Sequence, residues 1–409
     1  MNILFIHREL PGQFSALIHY FSAISAFNVY GICDTAQDSL VAEMPENVTL
    51  YRYTLDRKQA PQTHHYVADL ECSVLRAQCV VKVLQQCLQQ DVHFDLIIAH
   101  TGWGEALYVK DIYPATPLLG YVEFFFHTHG ADVGFDPAYP VSLDYQLQVK
   151  TLNAQLLLGM NECDELVTPT AWQKSLFPRR WQNDIHVIHE GVDIELVKPD
   201  KDAQFTLPNG IQLECGDEII SYCARSLEPC RGFPVLIKAL EIICQQRPDC
   251  HILIIGGDEV SYSPALPNGQ TYREQCLNDA QLPLGRVHFL GHVSYQTHLQ
   301  ILQLSSIHIY LTYPFVLSWS FMEAMASECV IICSDTAPVV ELIEHQKNGL
   351  LIEFFDYQAI AEQVEQVFNH SGRMEQLGKQ ARQTICQHYQ RQFSLARYQN
   401  LCQKLISGS

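Results

Sequence analysis

The sequence predicts an α/β chain of two domains, each an open and mostly parallel sheet covered by helices, facing each other across a cleft. Two observations carry this. Short apolar runs alternate with longer amphipathic stretches, the pattern of βα units. That alternation stops at a polar, turn-rich stretch and then starts again. In the first half, residues 2–7, 94–99, 117–122 and 166–168 read as buried strands, and 15–26 and 71–90 as helices. In the second half, 218–223, 251–255, 287–291, 307–311 and 330–333 read as strands and 233–246 as a helix. The stretch 198–217, with Pro199-Asp200-Lys201-Asp202 and Pro208-Asn209-Gly210, reads as the connection between them. The domains expected are therefore 1–197 and 218–385, with 386–409 a terminal helix that either returns to the first domain or caps the second.

The chain has 409 residues, enough for two or three domains at roughly 150 residues each. A formal net charge of −19 argues against nucleic acid as a partner, because phosphates need a basic face. No Lys or Arg lies between Arg8 and Arg52, so the first helix lacks what would bind it to anionic lipid. Fifteen cysteines, irregularly spaced and without a CxxC, suit a reducing compartment. Cys72, Cys79 and Cys87 fall near helical spacing as a buried stripe, and His64-His65 reads as loop surface. The first apolar run is too short for a signal peptide and none is long enough for a membrane span. The expectation is a cytosolic protein without an integral membrane segment.

Three motifs carry chemistry. Ala224-Arg225-Ser226-Leu227-Glu228-Pro229-Cys230-Arg231-Gly232-Phe233 joins a strand to a helix. Arg225 and Arg231 on such a turn can grip a diphosphate with forked donors, and a helix start favours anions. Two surface arginines are the alternative. In the second, 313–326, a strand ends in a Pro turn and a helix begins near Ser318 or Ser320. Its free N–H groups can stabilise phosphate charge. Glu323 sits in an otherwise apolar helix, costly without a partner, and two ribose hydroxyls would serve. A partly exposed Glu is the alternative. The third runs from Asp335 to Glu341 and then Asn348-Gly349-Leu350-Leu351. Glu341 there is either a site residue or a dipole partner at a helix start.

In this order the motifs resemble glycosyltransferase family 4, of the GT-B fold. The further landmarks are His189-Glu190-Gly191-Val192-Asp193 with Lys198-Pro199, Gly256-Gly257, and Phe289-Leu290-Gly291-His292-Val293. The first half resembles a subgroup with Pro11-Gly12-Gln13-Phe14, Gly102-Trp103-Gly104-Glu105-Ala106 and Gly130-Ala131-Asp132-Val133-Gly134-Phe135-Asp136. The resemblance implies two Rossmann-like domains facing a cleft and a retaining transfer from a nucleotide-diphosphate sugar without a metal. It implies a donor site of Gly12, Arg225, Arg231, Gly257, His292, Val293, Ser318, Ser320, Glu323 and Glu341. In it Arg225 and Arg231 hold the diphosphate, Glu323 the ribose, and backbone around His292 and Val293 the base. Phe315 stands where the family has the first glutamate of its EX7E pattern, and Val316 and Ser318 replace glycines. Many relatives place a His near the end of the fourth or fifth strand. Glu123 occupies that place here, with His100, His127 and His129 nearby. Glu123 and His127 join the two arginines as catalytic candidates, a structural polar role being the alternative for each. Gly12 would let backbone approach a phosphate or an acceptor. Asp34 and Asp38 stand as isolated loop acids.

The acceptor is a lipid-linked glycan, a polysaccharide, a peptide or a small metabolite, and either it or a partner protein could recruit the chain to a membrane. Two other classes stay open: a degenerate nucleotide-sugar-binding partner subunit, and a sugar-nucleotide epimerase.

Overall fold

The computed structural model describes residues 1–37 and 44–408, so Asp38 lies outside the described residues. The chain forms two compact units, Met1–Gly191 with Arg391–Ser409, and Val192–Gln390.

The first unit is built on seven parallel strands: β1 (Asn2–Ile6), β2 (Asn28–Asp34), β3 (Thr49–Tyr53), β4 (Leu96–His100), β5 (Leu118–Tyr121), β6 (Glu165–Thr168) and β7 (Ile185–Val187). Their order is β3-β2-β1-β4-β5-β6-β7. β1 sits between β2 and β4, with Leu4 opposite Tyr30 and Ile97. Its unbroken apolar run follows from burial on both faces. Ile3 and Phe5 point to one side, against Leu17, Ile18 and Phe21 of the helix Ser15–Ser22 and Tyr398 and Leu401 of the helix Arg391–Ser407. Leu4 and Ile6 point to the other, against Val80, Leu84 and Cys87 of the helix Ala68–Gln89. Each fully buried side chain of this size contributes roughly 1.5–3 kcal/mol.

The second unit opens with an antiparallel pair, β8 (Gln204–Thr206) and β9 (Gln212–Glu214), formed by the stretch read as a connection. Leu207 and Leu213 bury against Ile219 and Leu253, which ties the hairpin to this unit. A six-stranded parallel sheet follows: β10 (Ile219–Ser226), β11 (His251–Gly257), β12 (Val287–Gly291), β13 (Ile307–Tyr310), β14 (Val330–Ser334) and β15 (Leu350–Ile352), in the order β12-β11-β10-β13-β14-β15. Both sheets therefore place their first strand beside their fourth. Strand order reverses there, and the carboxyl ends of those two strands frame a ligand crevice. Each unit is thus Rossmann-like.

The differences from the sequence reading have physical reasons. β2 and β3 mix polar and apolar residues, β3 because it is a half-exposed edge. β7 and β15 are only three residues each. The helical stretch 371–406 divides into Ser371–Thr384, a π turn Ile385–Tyr389, and Arg391–Ser407, broken at Gln390 by an extended ψ of 140°. Asp34 is no loop acid: it closes β2, buried, and accepts from the Ala36 N–H at 3.0 Å.

His308 on β13 is fully buried. Its Nδ1 lies 2.9 Å from Ser221 Oγ, and its Nε2 has no partner among the described residues. Burial first, and His298 second, push its pKa down to about 3. Such a group stays neutral when folded and gains a proton when unfolded below its ordinary pKa. The unfolded state is therefore favoured as pH falls below about 6.5, by on the order of 2 kcal/mol at pH 5. The second unit's denaturation midpoint is expected to fall between pH 7 and pH 5, and less steeply in His308→Gln. Equal slopes in the two proteins would refute this account of His308.

Candidate functional site

In the first unit, the carboxyl ends of β1, β4 and β5 carry His7, His100 and Glu123. His7 Nδ1 accepts from the Glu9 N–H at 2.8 Å, so its proton sits on Nε2, which donates to Gln13 Oε1 at 2.7 Å. Burial, with His100 adding to it, lowers the His7 pKa to about 3 and keeps the ring neutral. The Gln13 amide then donates to Glu123 Oε1 at 2.9 Å. His100 is assigned the same tautomer: Nδ1 accepts from the Gly102 N–H at 3.1 Å, and Nε2 points at Glu123 Oε2, 3.6 Å away. Trp103 stacks on the His100 ring at 4.0 Å. Gln173 donates to the Glu123 carbonyl at 2.6 Å and fixes that backbone.

The glycines and aromatics of the first-unit motifs serve this cluster. Gly12 has φ +46°, and a Cβ there would stand 2.5 Å from the His7 ring. Glu105 is buried and accepts from the Tyr53 hydroxyl at 2.7 Å, and burial raises its pKa. His127 is placed elsewhere: its Nε2 bonds the Leu176 carbonyl oxygen at 2.7 Å, beneath the helix Ala171–Leu176.

In the second unit, the turn after β10 carries Arg231, and the segment after β13, which ends at Tyr310, carries Thr312 and Phe315. Arg225 lies exposed on β10, close enough to Glu259 to help hold that carboxyl down. Arg231 is 6% exposed, in the turn Pro229–Arg231. Its Nη1 donates to Tyr310 Oη at 3.2 Å, Thr312 Oγ1 at 2.8 Å and the Val316 carbonyl at 3.0 Å. The Tyr262 and Phe315 rings cover the guanidinium at 5.5 and 5.7 Å from their centroids, a cation–π arrangement. Among the described residues no carboxylate pairs with it, and Nε and Nη2 donate to no protein acceptor. Gly232 follows with φ +72°, and a Cβ there would also collide with Leu311, so both constraints call for glycine. Glu228 organises the loop opposite: wholly buried, it accepts from the N–H groups of Ser261, Tyr262 and Ser263, the last at 2.8 Å.

The helix Trp319–Ala326 starts after Ser318 as N-cap. The Ser318 hydroxyl meets Ser320 Oγ at 2.6 Å instead of capping, and its N–H donates to Tyr310 Oη at 2.9 Å. Glu323, one turn on, has protein partners: the Tyr295 hydroxyl donates to Oε1 at 2.8 Å and His298 Nε2 to Oε2 at 2.9 Å. Burial by itself depresses the His298 pKa, but the Cys223 thiol and the Glu323 carboxylate outweigh it and hold the group up at about 10. Gly257 leaves room for the hydrogen bond between Glu259 Oε1 and His292 Nε2, 2.7 Å apart, which a Cβ would strike. Val293 packs partly into the core beside Leu290. Glu341 corrects the reading of a helix start: it is the C-cap of the single turn Ala337–Val340.

Sequence reasoning missed Glu228, Tyr262, Thr312, Tyr295 and His298. Only Glu228 carried a signal, an acid wedged before Pro229 at the end of a buried strand. Among the described residues no three His, Cys, Asp or Glu side chains gather as a metal-holding group, and no helix is long and apolar enough to cross a membrane.

Comparison with known proteins matches residues 26–197 to the model of the glycosyl transferase family 4 group and residues 210–384 to that of glycosyl transferases group 1. No curated protein sequence matches the chain. Among solved structures, HepE of Anabaena, in complex with UDP and glucose, is 17% identical, covers 99% of this chain and 100% of its own, and superposes with a TM-score of 0.67. Sucrose-phosphate synthase of Thermosynechococcus elongatus is 16% identical, with 100% of both chains covered and a TM-score of 0.73. A variant of S. aureus TarM, in complex with fondaparinux, alpha-GlcNAc-glycerol and UDP, is 13% identical over 98% of this chain and 99% of its own, at 0.63. With a glycosyltransferase model matched to each of its two domains, the chain belongs to the GT-B-fold glycosyltransferases.

Proposed function

We propose that the chain transfers a sugar, with retention at the anomeric carbon and without a protein-held metal, from a nucleoside diphosphate to an acceptor hydroxyl. The observation that carries this is Arg231. A buried cation with no carboxylate partner and two donor groups uncommitted is an anion site waiting for its anion. It stands at the carboxyl edge where β10 meets β13, next to the start of the helix Trp319–Ala326. The donor diphosphate would lie against Arg231, with Arg225 reaching it from the exposed side and Glu323 taking the ribose. His292, Val293 and Gly257 would border the base.

The bond from the anomeric carbon to the diphosphate oxygen breaks as the acceptor oxygen bonds to that carbon on the same face. The acceptor proton passes to the departing phosphate oxygen, so the protein supplies position and charge stabilisation instead of a strong base. Glu123, aimed by Gln13 and His100, is the acceptor-side group of the first domain, suited to accept from a hydroxyl. His127, with Nε2 bonded to the Leu176 carbonyl oxygen, is given no step in this scheme. Glycan, lipid-linked and peptide hydroxyls all fit this chemistry. HepE and TarM were solved with UDP, which makes UDP the first nucleotide to try.

Phe315 favours a second reading, a nucleotide-sugar-binding partner subunit without transfer. Its ring packs on Tyr262 at 4.9 Å, at the place where the family pattern has a carboxylate.

The test is calorimetric titration with UDP, GDP and ADP and their sugar conjugates, followed by donor turnover. One nucleotide is expected to bind, and Glu323→Ala to weaken it roughly tenfold. Arg231→Ala is expected to cost on the order of 2–4 kcal/mol in transition-state stabilisation. Binding without turnover would move the assignment to the partner subunit. Unchanged turnover in Arg231→Ala would remove the diphosphate role.

A further inference from the structure

The helix Tyr295–Leu304 places Tyr295 and His298 three residues apart, hence on one face. Its start is fixed by Ser294, whose hydroxyl accepts from the Thr297 N–H at 3.1 Å. From that face the two side chains reach separate oxygens of one carboxylate. Tyr295 takes Oε1 of Glu323 and His298 takes Oε2. The neighbours of Glu323 on its own helix, Phe321, Met322, Ala324 and Met325, are fully buried. The Glu323 side chain is 15% exposed and that of His298 10%, while Tyr295 is half exposed. The bonded edge of the carboxylate therefore faces protein.

A carboxylate has about four acceptor directions, two on each oxygen. One donor on each oxygen uses two of them and leaves one acceptor direction on each oxygen for a ligand. That is the pattern a pair of vicinal hydroxyls requires. A free glutamate would also offer it, but only in a fraction of its rotamers, and the two donors on the helix Tyr295–Leu304 remove that freedom.

We propose that Tyr295 and His298 are positioning residues that aim the Glu323 carboxylate at both ribose hydroxyls, and so make this site select ribonucleotides over 2′-deoxyribonucleotides. This rests on the reading that Glu323 receives the ribose. The helix Tyr295–Leu304 then touches no ligand but sets the discrimination.

The experiment compares, by calorimetry on the full chain, the dissociation constants for UDP and 2′-deoxy-UDP, or for GDP or ADP and their deoxy forms if one of those is the nucleotide bound. The wild type is expected to prefer the ribose form about tenfold or more, as for one well-made hydrogen bond to a charged group. Glu323→Ala should bring the ratio to about one. His298→Ala should weaken the ribonucleotide about tenfold and lower the ratio at least threefold, and His298→Gln, which keeps a donor, should restore part of it. Tyr295→Phe removes only an exposed hydroxyl, so it will fold, and it should lower the ratio to a smaller extent. A merely structural role for the pair would weaken both nucleotides equally and leave the ratio untouched. If Glu323→Ala keeps the ratio, or no nucleotide binds, the ribose reading itself fails and this proposal with it. If Glu323→Ala abolishes the ratio while Tyr295→Phe and His298→Ala keep it, the ribose reading stands and the positioning role is overturned.

Discussion

A guanidinium buried without an acid is the constraint around which the second domain is arranged. Taking such a charge out of water costs several kcal/mol unless every face of it is occupied. Arg231 is met only in part, and by neutral groups alone: two hydroxyls and one carbonyl on Nη1 and two aromatic rings over the guanidinium, with Nε and Nη2 left uncommitted. Each of these needs its own support. Tyr310 is held at the end of β13 by stacking on Phe321 at 4.4 Å, and Tyr262 sits in a loop whose N–H groups converge on Glu228. The arrangement leaves the charge uncancelled, which a carboxylate neighbour would not. Glu228, wholly buried three residues before Arg231, is spent on the backbone N–H groups of Ser261, Tyr262 and Ser263.

The first domain solves a different problem. Its crevice holds a chain of neutral donors, His7 to Gln13 to Glu123, ending on an acid that is 28% exposed on its side chain. A neutral imidazole at the buried end and a carboxylate at the open end fix the direction in which every proton points. The two domains thus offer opposite characters from the same strand order. One presents an uncompensated cation, the other an acceptor.

Much of this could be read from the residues. β1, β10 and the helix Phe233–Gln246 were legible because burial on both faces, or on one helical stripe, leaves an unmistakable apolar pattern. Arg231 was legible as a charge on a turn between a strand and a helix, and Glu323 as a charge in an otherwise apolar helix. What surrounds them was not, since Tyr262 and His298 arrive from elements 31 and 25 residues away, and pairing across such distances leaves no periodic trace. Glu323 shows the limit well. It was expected to need a partner, and the structure supplies two from the protein itself, Tyr295 and His298. Gly12 shows the converse: its freedom is required by the His7 ring whether or not a ligand comes near.

The helix Arg391–Ser407 buries Tyr398 and Leu401 against Ile3 and Phe5, so the first strand and the last helix share one core. On a ribosome, β1 emerges hundreds of residues before the side chains that cover one of its faces. The second domain, unbroken from Val192 to Gln390, has all its strands available earlier. The order of synthesis is therefore reversed in the order of completion: the domain begun first is closed last. Until the terminal helix leaves the exit tunnel, an apolar stripe along β1 and the helix Ser15–Ser22 remains open to whatever chaperone or neighbouring chain reaches it.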